Sequence, residues 1–214
     1  MIVKTTFGDP IPTDAITAQV EEVGVVRHFQ VSRGKTDITF ACPLGERDIV
    51  WGLGETMGRV NKRGGRYISF NTDTADHEDT NPSLYASHNF LIVDGEVCFG
   101  VFFDTPARTV FEIDWENSGE IRVICESVDL RLYQIENTTP YAVVRDLLGA
   151  IGRCYLPPLW AFGYGQSRFG YKTPKDFWDV VEGHREAGIP LDYICMDIDY
   201  MDRFIDFTVN KENL

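Results

Sequence analysis

The sequence predicts a mostly β protein: an antiparallel β-sandwich, then one helix, then the β-α-β start of a parallel-stranded barrel. Three observations predict it. From about residue 20 to 136, short β-branched and aromatic runs alternate with Gly, Asn and Asp. The period turns helical after Thr139-Pro140. Beyond Pro157-Pro158 a strand-helix-strand pattern closes in an apolar run that ends in carboxylates.

In the sandwich, strands are expected at 48–53, 89–93, 98–103, 109–113, 121–125 and 128–135. Asp94-Gly95, Thr105-Pro106 and Asn117-Ser118-Gly119 supply the turns between them. Thr139 is an N-cap with Pro140 at the first helical position, and Tyr141, Val144, Leu147, Leu148 and Ile151 follow at helical spacing. Pro157-Pro158 blocks continuation. The domains are therefore expected at 1–136 (sandwich), 137–157 (linking helix) and 158–214 (the beginning of a barrel). In the last, 160–166 reads as a buried strand. Thr173-Pro174-Lys175-Asp176 caps a helix carrying Phe177, Val180, Val181 and His184 on one face, and Gly188 with Pro190 stops it. Residues 191–196 read as a parallel strand buried on both faces, with function at its C-terminal edge.

A chain of 214 residues, 43% hydrophobic and 25% charged, fits one or two globular domains with a real core. The 20 Lys+Arg against 33 Asp+Glu give a net charge of −13, which repels phosphate backbones and anionic lipid and argues against nucleic acid or membrane as partners. Five cysteines, widely spaced and without a Cys-x-x-Cys pair, read as free thiols in a reducing compartment. No signal-like start is present, and no apolar run approaches the roughly 20 residues that span a bilayer, so a cytoplasmic protein is expected.

Asp197, Asp199 and Asp202 crowd the end of the last predicted strand. Such a cluster is costly unless water, sugar hydroxyls, a cation or Arg/Lys satisfies it. No Gly is placed as in a calcium loop, and no metal or cofactor is assigned. A second acidic group, Asp73, Asp76, His77, Glu78 and Asp79, lies in a polar stretch at 69–85 that is either a functional or a mobile loop. Neighbouring positions of extended chain alternate sides, which makes His77 with Glu78 or Asp79 a poor metal pair. Gly52-Leu53-Gly54 and Gly163-Tyr164-Gly165 lack the third glycine of a dinucleotide fingerprint and read as tight strand packing. None of His28, His77, His88 and His184 has a Ser or Cys partner in a nucleophile context, so no triad is supported.

Five ordered motifs carry a resemblance: Val50-Trp51-Gly52-Leu53-Gly54-Glu55; Asn71-Thr72-Asp73; Leu84-Tyr85-Ala86-Ser87-His88-Asn89-Phe90; Pro157-Pro158-Leu159-Trp160 through Gln166-Ser167-Arg168-Phe169-Gly170-Tyr171; and Gly188-Ile189-Pro190-Leu191-Asp192 with Asp197-Ile198-Asp199-Tyr200-Met201-Asp202 and Asp206-Phe207-Thr208. Together they resemble glycoside hydrolase family 31, the α-glucosidase-like family. The resemblance implies a sandwich of the galactose-mutarotase type packed on a (β/α)8 barrel, and retaining hydrolysis of α-linkages at the sugar's non-reducing end. In that family the nucleophilic Asp follows the fourth barrel strand and the acid/base Asp the sixth, and no motif of this chain matches either. It further implies that Asp197 accepts hydrogen bonds from the terminal sugar, that Ile198 lines the same pocket, that Asp73 reaches in from the sandwich loop, and that Phe169, where relatives carry Trp or Tyr, stacks on the leaving sugar. Ala86 stands where the family has Gly, and Asn89 where it has Pro.

The partners so implied are α-linked oligosaccharides such as isomaltose and maltose. A retaining mechanism needs two carboxyl groups about 5 Å apart, so the chain alone is expected to be inactive. Residues 158–214 fall far short of the roughly 250 that close such a barrel, so their apolar face is expected to be unstable or buried by self-association. A free-standing carbohydrate-binding module is the rival reading, and an α-xylosidase the alternative within the family.

Overall fold

The first strand, β1 (Ile2–Phe7), buries every second residue, Val3, Thr5 and Phe7, committing one face of the chain to a core from its start. It precedes the region where strands were expected. The computed structural model describes residues 1–74 and 76–212, in two compact units, Met1–Arg153 and Cys154–Leu214. In the first unit β1 is followed by β2 (Glu21–Glu22), β3 (Gln30–Arg33), β4 (Ile38–Pro43), β5 (Ile49–Gly54), β6 (Gly65–Ser69), β7 (Ser87–Asp94), β8 (Cys98–Asp104), β9 (Thr109–Ile113), β10 (Glu120–Cys125) and β11 (Leu130–Asn137). They form a six-stranded sheet, β2-β1-β11-β8-β7-β5, and a five-stranded sheet, β3-β4-β10-β9-β6, antiparallel except for the short β1–β2 pair.

The inner faces of the two sheets share one core. Phe103 of the larger sheet meets Phe40 and Phe111 of the smaller at centroid separations of 5.2 and 5.8 Å, edge to face. Strand β8 is buried on both sides. Phe99, Val101 and Phe103 point into the sandwich, while Cys98 belongs to a second cluster with Ile92, Ile135 and Val143 under α1 (Pro140–Ile151). Thr139 caps α1 by accepting from the Ala142 N–H at 3.2 Å. The helix rests on Ala142, Val143 and Ala150, with Leu147 half-covered; of the others that share the helical spacing, Tyr141 is largely exposed and Val144, Leu148 and Ile151 are partly so. Small side chains are what allow the close approach: a Cβ on Gly100 of β8 would lie 2.4 Å from Val143 Cγ1.

In the second unit, 160–166 is not a buried strand. A 3-10 turn at Leu159–Phe162 is followed by β12 (Gly165–Ser167), because the Tyr164 N–H donates to Asp192 Oδ2 at 3.0 Å and the ladder begins only at Gly165. Helix α2 (Pro174–Glu186) is capped where expected, by a capping box between Thr173 and Asp176, and Gly188 follows its end at φ +66°. Strand β13 (Tyr193–Cys195) pairs with β12 in parallel, as expected, but it is half-exposed rather than buried on both faces. Burial depends on the layers on either side, and among the described residues β13 has one neighbouring strand. No helix among the described residues is long and apolar enough to cross a membrane.

Candidate functional site

The parallel pairing of β12 with β13 aligns their C-terminal ends: Gly165 with Tyr193, Gln166 with Ile194 and Ser167 with Cys195. The loops leaving those ends carry Phe169 on one side and Asp197 and Ile198 on the other. Gly170 N–H donates to Asp199 Oδ2 at 3.1 Å and ties the two loops together. Asp197 starts the 3-10 turn Ile198–Tyr200, its Oδ1 accepting from the Ile198 N–H at 2.7 Å. Phe169 and Ile198 are exposed, at 65% and 43%, so both present apolar surface to solvent. The Gly-Tyr-Gly before Gln166 is needed for close approach, since Cβ atoms on Gly163 and Gly165 would lie 2.0 Å from Asp192 Oδ2 and 2.2 Å from the Tyr193 ring. Behind the loops Tyr171 is buried against Phe177 of α2, and Gln166 Nε2 donates to its hydroxyl at 3.2 Å.

Asp73 belongs to the other unit, on the stretch between β6 and β7. Its two ends, 68–72 and 82–87, are tied to each other. Ile68 N–H donates to Pro82 O at 2.8 Å, Thr72 N–H to Leu84 O at 2.9 Å and the buried Ser83 hydroxyl to Phe70 O. Leu84 is buried beside Ser83. Asn71 Oδ1 accepts from Ser87 N–H at 3.0 Å and from its hydroxyl at 2.6 Å. The exposed Asp73 carboxylate accepts from the Tyr85 hydroxyl at 2.8 Å, which pushes the phenol's pKa up. Asn89, buried, donates from Nδ2 to Thr105 O at 3.1 Å and fixes the start of β7.

The structure thus brings Phe169, Asp197 and Ile198 to one edge of a two-stranded parallel sheet and puts Asp73 on a sandwich loop. Glu55 and Tyr85, which shape that loop, stand in the sequence only as members of two motifs and carry no role there; the signal available was an acidic residue directly after Gly52-Leu53-Gly54. Among the described residues no group of three His, Cys, Asp or Glu is arranged to hold a metal ion. All five cysteines are free, and burial pushes the Cys42 and Cys125 thiols up to about 11 and about 12, which keeps them protonated and poor nucleophiles.

Two family models divide the chain along these lines. The glycosyl hydrolase 31 N-terminal galactose mutarotase-like domain matches residues 9–112, and the glycosyl hydrolases family 31 TIM-barrel domain matches residues 154–214. The chain belongs to glycoside hydrolase family 31. Relatives within the family include alpha-glucosidase 2 of Bacillus thermoamyloliquefaciens, 34% identical over 170 residues, which are 78% of this chain and 22% of that protein. The lysosomal alpha-glucosidase of Bos taurus is 32% identical over 174 residues, 77% of this chain and 18% of its own length. Among solved structures, a Flavobacterium johnsoniae GH31 dextranase complexed with isomaltotriose aligns with a TM-score of 0.77 at 24% identity, over 87% of this chain and 22% of that one. The chain therefore spans about a fifth of the length of the relatives it matches.

Proposed function

We propose that these residues form the N-terminal part of a retaining α-glucosidase that releases terminal non-reducing α-linked glucose from oligosaccharides, and that they supply sugar-binding groups rather than the two catalytic carboxylates. One observation carries the reading: Phe169, Asp197 and Ile198 share the C-terminal edge of two adjacent parallel strands, the edge at which barrels of this kind place their sites. The names of the relatives support glucose over xylose as the sugar. Asp197 would accept from hydroxyls of the terminal sugar through the carboxylate oxygen not held by Ile198 N–H, Phe169 would stack on the leaving sugar, and Asp73 would add a further carboxylate. Charge-assisted hydrogen bonds of about 1.5–3 kcal/mol each are enough to distinguish epimers. The nucleophile and the acid/base, about 5 Å apart in a retaining site, would come from barrel strands other than β12 and β13.

In the complete enzyme, Asp197→Ala is expected to lower kcat/KM on maltose and isomaltose by about a hundredfold or more, the loss of one or two such bonds. An unchanged value would remove Asp197 from the site, and a preference for α-xylosides over α-glucosides would reassign the sugar. This chain by itself is expected to show no turnover of p-nitrophenyl α-glucoside and at best millimolar binding of maltose by calorimetry. Micromolar binding without turnover would favour a free-standing carbohydrate-binding module, and turnover abolished by Asp197→Ala would overturn the division of labour.

A further inference from the structure

Strand β5 ends in a bulge. Gly52, Leu53 and Gly54 all take positive φ, at 119, 68 and 70°, and the register against β7 shifts between Gly52 and Gly54. Neither glycine tolerates a side chain, since a Cβ would come within 2.3 Å of Phe90 O at Gly52 and 2.6 Å of Ala86 O at Gly54. The bulge delivers Glu55 to the segment before β7. Glu55 N–H donates to Ala86 O at 2.8 Å, and its Oε2 accepts from the N–H groups of Tyr85 and Ala86 at 3.1 and 3.0 Å. A carboxylate thus satisfies two successive backbone donors and fixes the backbone from which Tyr85 extends. The Tyr85 hydroxyl then lies 2.8 Å from Asp73 Oδ1 and 2.9 Å from Thr74 O.

We infer that Tyr85 is a positioning residue for Asp73, set in place by Glu55, so that one oxygen of the Asp73 carboxylate is held and the other is presented to a sugar hydroxyl. The inference rests on the proposed role of Asp73 as a sugar ligand. An exposed aspartate on a loop would otherwise lose rotamer freedom on binding; the phenol removes that freedom beforehand. The raised pKa of Tyr85, caused first by its hydrogen bond to Asp73, agrees with a bond made to a charged carboxylate.

The test is a double-mutant cycle in the complete enzyme with isomaltose and maltose. Tyr85→Phe keeps the ring, half-exposed in the structure, and is expected to lower kcat/KM about two- to tenfold, the effect of returning rotamer freedom to one side chain, through KM rather than kcat and with an unchanged melting temperature. Glu55→Gln should act in the same direction. In an Asp73→Ala background, which leaves the hydroxyl no side-chain acceptor at that position, Tyr85→Phe should have no further effect, whereas a merely structural role for the tyrosine would give additive losses. In the present chain, Tyr85→Phe should also speed amide exchange at residues 72–74. Wild-type kinetics for Tyr85→Phe beside an impaired Asp73→Ala, additivity in the cycle, or unchanged exchange would each overturn the inference alone. An Asp73→Ala enzyme with wild-type kinetics would instead remove Asp73 from the site, and the positioning role with it.

Discussion

Asp114 closes the connection between β9 and β10 with a backbone few residues adopt, at φ +50°. Its Oδ1 accepts from Gly119 N–H at 2.8 Å and its Oδ2 from Arg63 Nε at 2.6 Å, while Arg63 also donates to Gly45 O at 2.6 Å. One carboxylate therefore joins three loops at one end of the sandwich. The Gly119 N–H, then the Arg63 guanidinium, hold its pKa below the ordinary aspartate value. A depressed folded-state pKa means that the unfolded chain takes up the proton first. The stabilisation is thus complete above the unfolded-state value and is lost as the pH falls from there through the folded-state value. Thermal melts from near neutral to about pH 3 should show Asp114→Asn less stable than wild type near neutrality, with a smaller drop in melting temperature on acidification. Parallel curves for the two proteins would exclude Asp114 from the acid sensitivity.

The seat of α1 sets the balance between two side chains, since Val143 occupies the space that a Cβ on Gly100 would need. Gly100→Ala is expected to cost about 1–3 kcal/mol by overpacking and Val143→Ala about 2 kcal/mol by leaving a cavity. The double variant should be less destabilised than the sum by about 1 kcal/mol, as read from urea unfolding; strict additivity would mean that the helix is not seated on Gly100. Both α-helices were legible because their signals are local: Thr139-Pro140 and Thr173-Pro174 with Asp176 act within one turn. Strands β8 to β10 were legible for the same reason, each being bounded by its own turn residues. Strand β1 was not, because its partner is far along the chain, Ile2 pairing with Ile135. The buried face of α1 was not either: large side chains at helical spacing suggested one stripe, but Ala142, Val143 and Ala150 are the buried ones, Val143 in the space left by Gly100 of β8. In the candidate site, Phe169, Asp197 and Ile198 could be placed at strand ends from the sequence. The Glu55-to-Tyr85-to-Asp73 relay could not, because it depends on a bulge that reads, residue by residue, as ordinary close packing.

For the molecule as a whole, the decisive quantity is the apolar surface of the unit Cys154–Leu214. Leu159, Phe162, Trp178, Phe204 and Phe207 are each more than half exposed, Leu159 by 88%, and β12 and β13 are each paired on one side only among the described residues. Covering a large apolar side chain gains about 1.5–3 kcal/mol, so five together offer about 8–15 kcal/mol. Association costs about 4–15 kcal/mol in lost freedom. The two sums are of similar size, so weak self-association is expected rather than a tight, defined dimer. Light scattering on this chain should show apparent mass rising with concentration in the micromolar to millimolar range. Replacing Leu159 and Phe207 by Ser should suppress that rise and leave the melting transition of the sandwich where it was, because neither residue belongs to its core clusters. A concentration-independent monomer in which residues 158–214 resist protease would show instead that this surface is covered within a single molecule.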